Sequence, residues 1–190
     1  MSQKIDSVDI LNPEQQKELL SIAREAIELA VRYDLPDASR EYQHKIFYMK
    51  FGAFVTLRKG KELRGCIGYV QAIKPLVDTI IEMAQAAALR DPRFEPVTAQ
   101  EIEKLGIEIS VLTPMTKLES VDDLMIGKHG LYIEKGFHRG LLLPQVAVEH
   151  GWDKTRFLQQ TCIKAGLMPE EWQEPNTDIS VFSAQIFSEE

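Results

Sequence analysis

Leu63-Arg64-Gly65-Cys66-Ile67-Gly68-Tyr69 has the period-two pattern of a half-buried β-strand. Its parity puts Leu63, Gly65, Ile67 and Tyr69 on one face, the core face, and Arg64, Cys66 and Gly68 on the other. Two interior glycines weaken a purely structural strand, and there they mark a close backbone approach or a bulge. Upstream, Phe51, Ala53, Val55 and Leu57 alternate in the same way, and Arg58-Lys59-Gly60-Lys61-Glu62 supplies a turn. The two runs read as a β-hairpin, residues 51–57 against 63–70, and a hairpin implies antiparallel rather than doubly wound parallel pairing.

On either side the period changes to that of helices. Asn12-Pro13-Glu14 combines a capping residue, a proline suited to the first helical position and an acid placed for the helix dipole. Leu19, Ile22, Ala23, Ala26 and Ala30 then recur at three- and four-residue spacing, which predicts a helix over 13–33. Residues 34–46 read as a connector, and a small lobe is expected near 34–50. After the hairpin, Pro75 starts a helix over 76–90 with a stripe of Val77, Ile80, Ile81, Ala84, Ala87 and Ala88, stopped by Asp91-Pro92. Thr98 and Glu101 form a capping box for a short helix ending near Gly106. In the strand that follows, Ile107, Ile109 and Val111 face one way, and Glu108, Ser110 and Leu112 the other. Strands at 131–135 and 140–143 flank Gly136, residues 146–149 add a helical turn, 155–165 form a helix closed by Gly166, and 179–187 make a last strand. The pattern predicts one α+β domain over residues 1–190, a largely antiparallel sheet flanked by helices.

A chain of 190 residues buries enough surface to fold without a disulfide or a structural metal. Cys66 and Cys162 are far apart, match no disulfide framework or paired zinc spacing, and read as free thiols. With 22 Lys and Arg against 29 Asp and Glu, the net charge of −7 argues against nonspecific capture of nucleic acid. The first ten residues, MSQKIDSVDI, carry neither an apolar core nor a cleavage pattern, and no apolar run approaches the ~18 residues of a membrane helix. A cytoplasmic location without membrane association is the expectation. Phosphate-loop, dinucleotide-fingerprint, H-E-x-x-H and G-x-S-x-G motifs are absent, which removes the main support for the corresponding enzyme classes, and no cofactor is expected.

Cys66 has the most chemistry to offer. Arg64 lies about 7 Å away along the strand, near enough to favour a thiolate, and Gly68 leaves space beside the thiol. The competing reading is a structural cysteine, since free Cys is among the most buried residue types. If the strand holding Glu108 and Ser110 is a neighbour, Arg64, Cys66, Glu108 and Ser110 bring a cation, a nucleophile candidate, a carboxylate and a hydroxyl to one face. The competing reading there is a solvated sheet face with an Arg–Glu pair. His44, His129, His138 and His150 include no pair at helical ligand spacing, so no metal site is expected. His129, just before a strand, is the candidate base for Cys66, against its reading as an ordinary loop histidine. Trp152 and Trp172 suit either a pocket cover or the edge of a core.

Residues 63–68 resemble the signature hexapeptide of the AMMECR domain family. Asp91-Pro92-Arg93-Phe94, Glu108-Ile109-Ser110-Val111-Leu112, Gly130-Leu131, Leu141-Leu142-Leu143-Pro144-Gln145-Val146-Ala147, Gly151-Trp152-Asp153 and Lys164-Ala165-Gly166-Leu167 are similar to that family's other segments, in its order. The resemblance covers residues 19–187 and is strongest to free-standing prokaryotic members, which are encoded with a Memo-like protein and a radical-SAM protein as the AmmeMemoRadiSam system. It implies an α+β body, a smaller lobe and a cleft near residues 63–68, and it brings no established reaction. Two functions follow. The first is a ligand-binding or catalytic cleft for a small-molecule or nucleotide-related ligand, with Cys66, Arg64 and Glu108 as catalytic candidates and Gly65, Gly68, Ser110, Arg93 and Gln145 as ligand-binding candidates. The second is a noncatalytic partner or scaffold module in which the glycines allow tight packing, Arg64 anchors a carboxylate, and the surface engages the Memo-like or radical-SAM protein. Access to Cys66 separates the two: an open electropositive pocket favours the first, a closed apolar setting the second.

Overall fold

Asn12 begins the first helix by the reciprocal bonding its residue type allows. Its side chain accepts from the Gln15 N–H, and the Gln15 side chain accepts from the Asn12 N–H. The computed structural model describes residues 10–33 and 41–189. In chain order its helices are α1 (Pro13–Arg32), α2 (Leu76–Leu89), α3 (Pro144–Glu149) and α4 (Lys154–Lys164). The strands are β1 (Ala53–Lys59), β2 (Glu62–Tyr69), β3 (Leu105–Leu112), β4 (Thr116–Lys117), β5 (Gly130–Lys135), β6 (His138–Leu142), β7 (Asp178–Phe182) and β8 (Ala184–Ser188). Two antiparallel sheets, ordered β2-β1-β3-β8 and β4-β7-β5-β6, with flanking helices make the fold α+β. No described helix is long and apolar enough to cross a membrane.

The described residues divide into two compact units, the first from 10–33, 41–112 and 185–189, the second Thr113–Ala184. In the first, the expected hairpin is present, and its turn shrinks to Gly60-Lys61 because pairing continues to Lys59 opposite Glu62. Gly60 adopts φ 61°, which only glycine takes without strain. Val55 and Leu57 of β1 and Ile107 and Ile109 of β3 are at most 1% exposed and share one core with α1 and α2. The Gln185 side chain of β8 bonds both the N–H and the carbonyl of Leu11, each at 2.8 Å, and so ties the chain just ahead of α1 to the sheet.

The second unit has its own core of Leu131, Ile133, Phe157, Leu158 and Cys162. Asp153 caps α4 by accepting from the Arg156 N–H at 2.7 Å. Three expectations need correction. The single sheet is two sheets, because the strand read as 179–187 breaks at Ser183, where its N–H and carbonyl both bond Thr113 at 2.8 Å. The helix expected after Thr98 is a 3-10 turn, Ile102–Lys104, followed directly by β3. Of the stretch 34–50 expected to form a small lobe, residues 34–40 lie outside the described residues. Residues 41–50 belong to the first unit, whose core holds Phe47 at 0% exposure, and the separate smaller unit is Thr113–Ala184.

Candidate functional site

Among the described residues β2 is the edge of its sheet, with β1 on one side and no strand on the other. An edge leaves backbone groups unpaired, and here side chains take them. The Cys66 N–H donates to Asp91 Oδ2 at 2.8 Å, and Arg93 Nη2 donates to the Cys66 carbonyl at 3.2 Å. Asp91 and Arg93 also grip one another, Nη2 to Oδ2 at 2.7 Å and Nε to Oδ1 at 2.9 Å. The Asp91 side chain is 2% exposed against 54% for Arg93, so the arginine brings the charge that makes a buried carboxylate tolerable. The Arg93 guanidinium, followed by the Cys66 and Arg93 N–H groups, holds Asp91 well below the usual carboxylate range despite the opposing effect of burial. Asp91-Pro92 therefore does more than stop α2: it aims a carboxylate at the strand edge.

Arg64 is displaced from the role its spacing suggests. The register shifts between Leu57, opposite Gly65, and Arg58, opposite Leu63, which leaves Arg64 as the extra residue of a bulge. Its guanidinium bonds Glu101 through Nε at 3.1 Å and Nη2 at 3.2 Å, and reaches the Glu95 carbonyl at 2.9 Å and the Pro96 carbonyl at 3.4 Å. The Arg64 bond, helped by the Thr98 N–H and hydroxyl, pulls Glu101 from the ordinary 4.5 to about 2. This cation serves Glu101 and the 95–96 turn.

The remaining candidates divide between two faces and two units. Thr56 pairs with Cys66 on one side and Glu108 on the other, so thiol, hydroxyl and carboxylate form one row across the sheet. The Thr56 hydroxyl donates to Cys66 Sγ at 3.2 Å, while Glu108 stands about two strand spacings, ~10 Å, from Cys66. Arg58 approaches Glu108 at 4.0 Å. The next row is Gly68, Phe54 and Ser110, with Ser110 only 1% exposed. The space expected beside Cys66 at Gly68 is filled: a Cβ there would lie 2.3 Å from the Phe54 ring. Gly65 faces the opposite way, onto α2, where a Cβ would lie 2.2 Å from the Ala87 carbonyl oxygen. Gln145 belongs to the second unit, on α3, and its buried Oε1 has no hydrogen-bond partner among the described residues. His129 is also in that unit, where its Nδ1 accepts from the Met125 N–H at 3.3 Å and burial lowers its pKa. Among the described residues no group of three or more His, Cys, Asp and Glu is placed to hold a metal ion.

Sequence reasoning missed Thr56, Asp91 and Glu101. Thr56 was accessible to the same parity argument, since it alternates with Val55 and Leu57. From the residues alone Asp91 and Glu101 read as local helix signals, and nothing local announces that their carboxylates reach β2. Chemically, the arrangement anchors a strand and leaves a half-exposed thiol hydrogen-bonded to a neutral hydroxyl.

Comparison with known proteins follows the same residues. A protein from Methanothermobacter thermautotrophicus is 45% identical, covering 95% of this chain and 97% of that one. Protein TK0174 of Thermococcus kodakarensis is 44% identical over 90% of this chain and 89% of its own length. The crystal structure of uncharacterized protein PH0010 from Pyrococcus horikoshii superposes with a TM-score of 0.89 at 40% identity, covering 95% of this chain and 94% of that one. The AMMECR1 family model spans residues 20–187, from α1 to β8, and takes in the clasped edge strand, the 91–94 loop and both sheets. By that match and by these relatives, the chain belongs to the AMMECR1 family.

Proposed function

We propose that this chain is a noncatalytic, cytoplasmic partner-binding module that works with a Memo-like protein and a radical-SAM protein, the partners its family resemblance implies. The observation that carries this reading is the use of Arg64: its guanidinium is engaged by Glu101 and two backbone carbonyls, so the cation that would activate Cys66 serves to anchor a loop. Gly65 beneath Ala87 and Gly68 beneath Phe54 support it, since both glycines accommodate packing. The test is binding of the purified chain to the Memo-like and radical-SAM proteins of its own organism, measured by calorimetry. Complex formation with equal affinity for wild type and Cys66→Ser is the expected result. Loss of binding in Cys66→Ser, or no complex with either protein, would overturn the reading.

The half-exposed Cys66 favours a second reading, a small-molecule or nucleotide-related ligand held on the face of Thr56, Cys66 and Glu108, with Ser110 beside them. Iodoacetamide labelling of Cys66 separates the two. Labelling that slows in Arg64→Met, or that a low-molecular-weight cell extract protects, supports the ligand face. Labelling indifferent to both supports the module.

A further inference from the structure

The Asp91–Arg93 pair sits where a neighbouring strand would pair. Because the Cys66 N–H reaches Asp91 and its carbonyl accepts from Arg93, both backbone groups of Cys66 point away from β1. Cys66 is thus in a non-hydrogen-bonded pair with Thr56, and the alternation turns the N–H and carbonyl of Gly68, opposite Phe54, to the same outer edge. Such an edge offers donors and acceptors in the order an antiparallel strand needs. Two identical edges related by a twofold axis satisfy one another without further complementarity, so the occupant this edge suits best is β2 of a second copy.

We propose that Asp91 and Arg93 are an edge guard, occupying the hydrogen-bonding groups through which β2 would otherwise pair, antiparallel and about a twofold axis, with β2 of another molecule. The guard has the makings of a stable device. Its carboxylate is 2% exposed and bonded on both oxygens, and the 91–97 segment that carries it is fastened at its far end by the Val97 N–H to the Ala88 carbonyl at 2.8 Å. Arg64 adds a second tie to this segment through the Glu95 and Pro96 carbonyls. A strand edge is commonly protected by a charge pointing into the place of the missing partner, and here a buried acid and its arginine cover the donor and the acceptor of one residue together.

The test removes both charges at once, Asp91→Leu with Arg93→Met, so that no lone carboxylate stays buried. A second, milder pair of substitutions, Asp91→Asn with Arg93→Ala, frees the Cys66 carbonyl, keeps an amide oxygen for the N–H and leaves no buried charge. Folding is checked by circular dichroism and self-association by sedimentation velocity, and a short bis-maleimide probes proximity. Two β2 strands paired around Cys66 bring its two Cα atoms to about 5.5 Å. Cys162 is 0% exposed, so cross-linking reports Cys66. The expected result is a species of twice the wild-type mass in the double variant, cross-linked at Cys66, with a smaller gain in the milder pair Asp91→Asn with Arg93→Ala. Cys66→Ser added to the double variant should abolish the cross-link and keep the larger species. Folded variants that sediment as wild type, or a larger species that does not cross-link at Cys66, would overturn the proposal. Should Asp91→Leu with Arg93→Met not fold, the milder pair Asp91→Asn with Arg93→Ala is read by the same two measurements.

Discussion

Each sheet places a glycine of an edge strand directly beneath its helix, yet the two edges are held differently. In the first unit a Cβ on Gly65 would lie 2.2 Å from the Ala87 carbonyl oxygen of α2. In the second, a Cβ on Gly140 of β6 would lie 2.4 Å from the Ala165 nitrogen at the end of α4. The packing device is shared. Around Gly65 the strand is further tied by Asp91, Arg93 and the Arg64–Glu101 pair, and its cysteine stays half exposed. Around Gly140 the polar ties are the His138 ring to the Ala165 carbonyl and Arg139 to Glu134, and the cysteine of that unit, Cys162, is fully buried. The comparison teaches that in a motif rich in reactive residue types the glycines can meet a helix and the charge can bond a neighbouring loop. An equally tight glycine contact can stand where no motif draws the eye.

The largest expected effects test the shared device. Gly65→Ala should destabilise by roughly 3 kcal/mol, because its obstacle is backbone that cannot swing aside. Gly140→Ala should cost about 2 kcal/mol, since the end of a helix yields more readily than its body. Urea midpoints at unchanged m-value measure both, and a near-neutral Gly65→Ala would break the comparison. The cysteines come next. Cys66 should alkylate roughly tenfold or more faster than Cys162, whose thiol is buried and whose pKa that burial raises. Peptide mass spectrometry after a timed iodoacetamide pulse gives the ratio, and equal rates would erase this difference between the units.

Removing the Arg64–Glu101 tie sharpens the contrast at a smaller scale. Arg64→Met should cost about 1 kcal/mol at neutral pH, a modest figure because the pair is partly exposed. Glu101 is ordinarily at 4.5 and in the fold at about 2, so the pair's contribution is present above pH 4.5 and lost as pH falls through 2. The stability gap between wild type and Arg64→Met should accordingly narrow between those two values. A gap that stays constant down to pH 2 would show that Glu101 draws its stabilisation from Thr98 and Lys59 rather than from Arg64. Smallest of all, Gly106→Ala should change stability by less than about 0.5 kcal/mol, because a Cβ there meets nothing within 4 Å.

Much of the fold was legible. Pro13 and Pro75 mark helix starts and Gly166 the end of α4, because caps and prolines act through bonds within a few residues of themselves. The hairpin is legible for the same reason, its two strands following from alternation on either side of a turn, while the register shift at Arg64 is not. The break at Ser183 was not, since residues 179–187 read as one apolar run and only Thr113, distant in sequence, divides them between two sheets. Of the candidate site, the common face of Cys66 and Glu108 was foreseen from strand parity, and the destination of Arg64 was not.

The sequence by itself determined the α+β class, the order of most elements and the family, all of which rest on local pattern. Only the tertiary structure decided which groups the hexapeptide touches. A one-residue bulge turns Arg64 toward Glu101, and a loop beginning 25 residues after Cys66 delivers Asp91 to its N–H. Side-chain direction past a bulge and the meeting of an edge strand with a distant loop depend on how α2 lies across the sheet. Pairings of that kind are set by packing, which leaves no periodic trace in the chain.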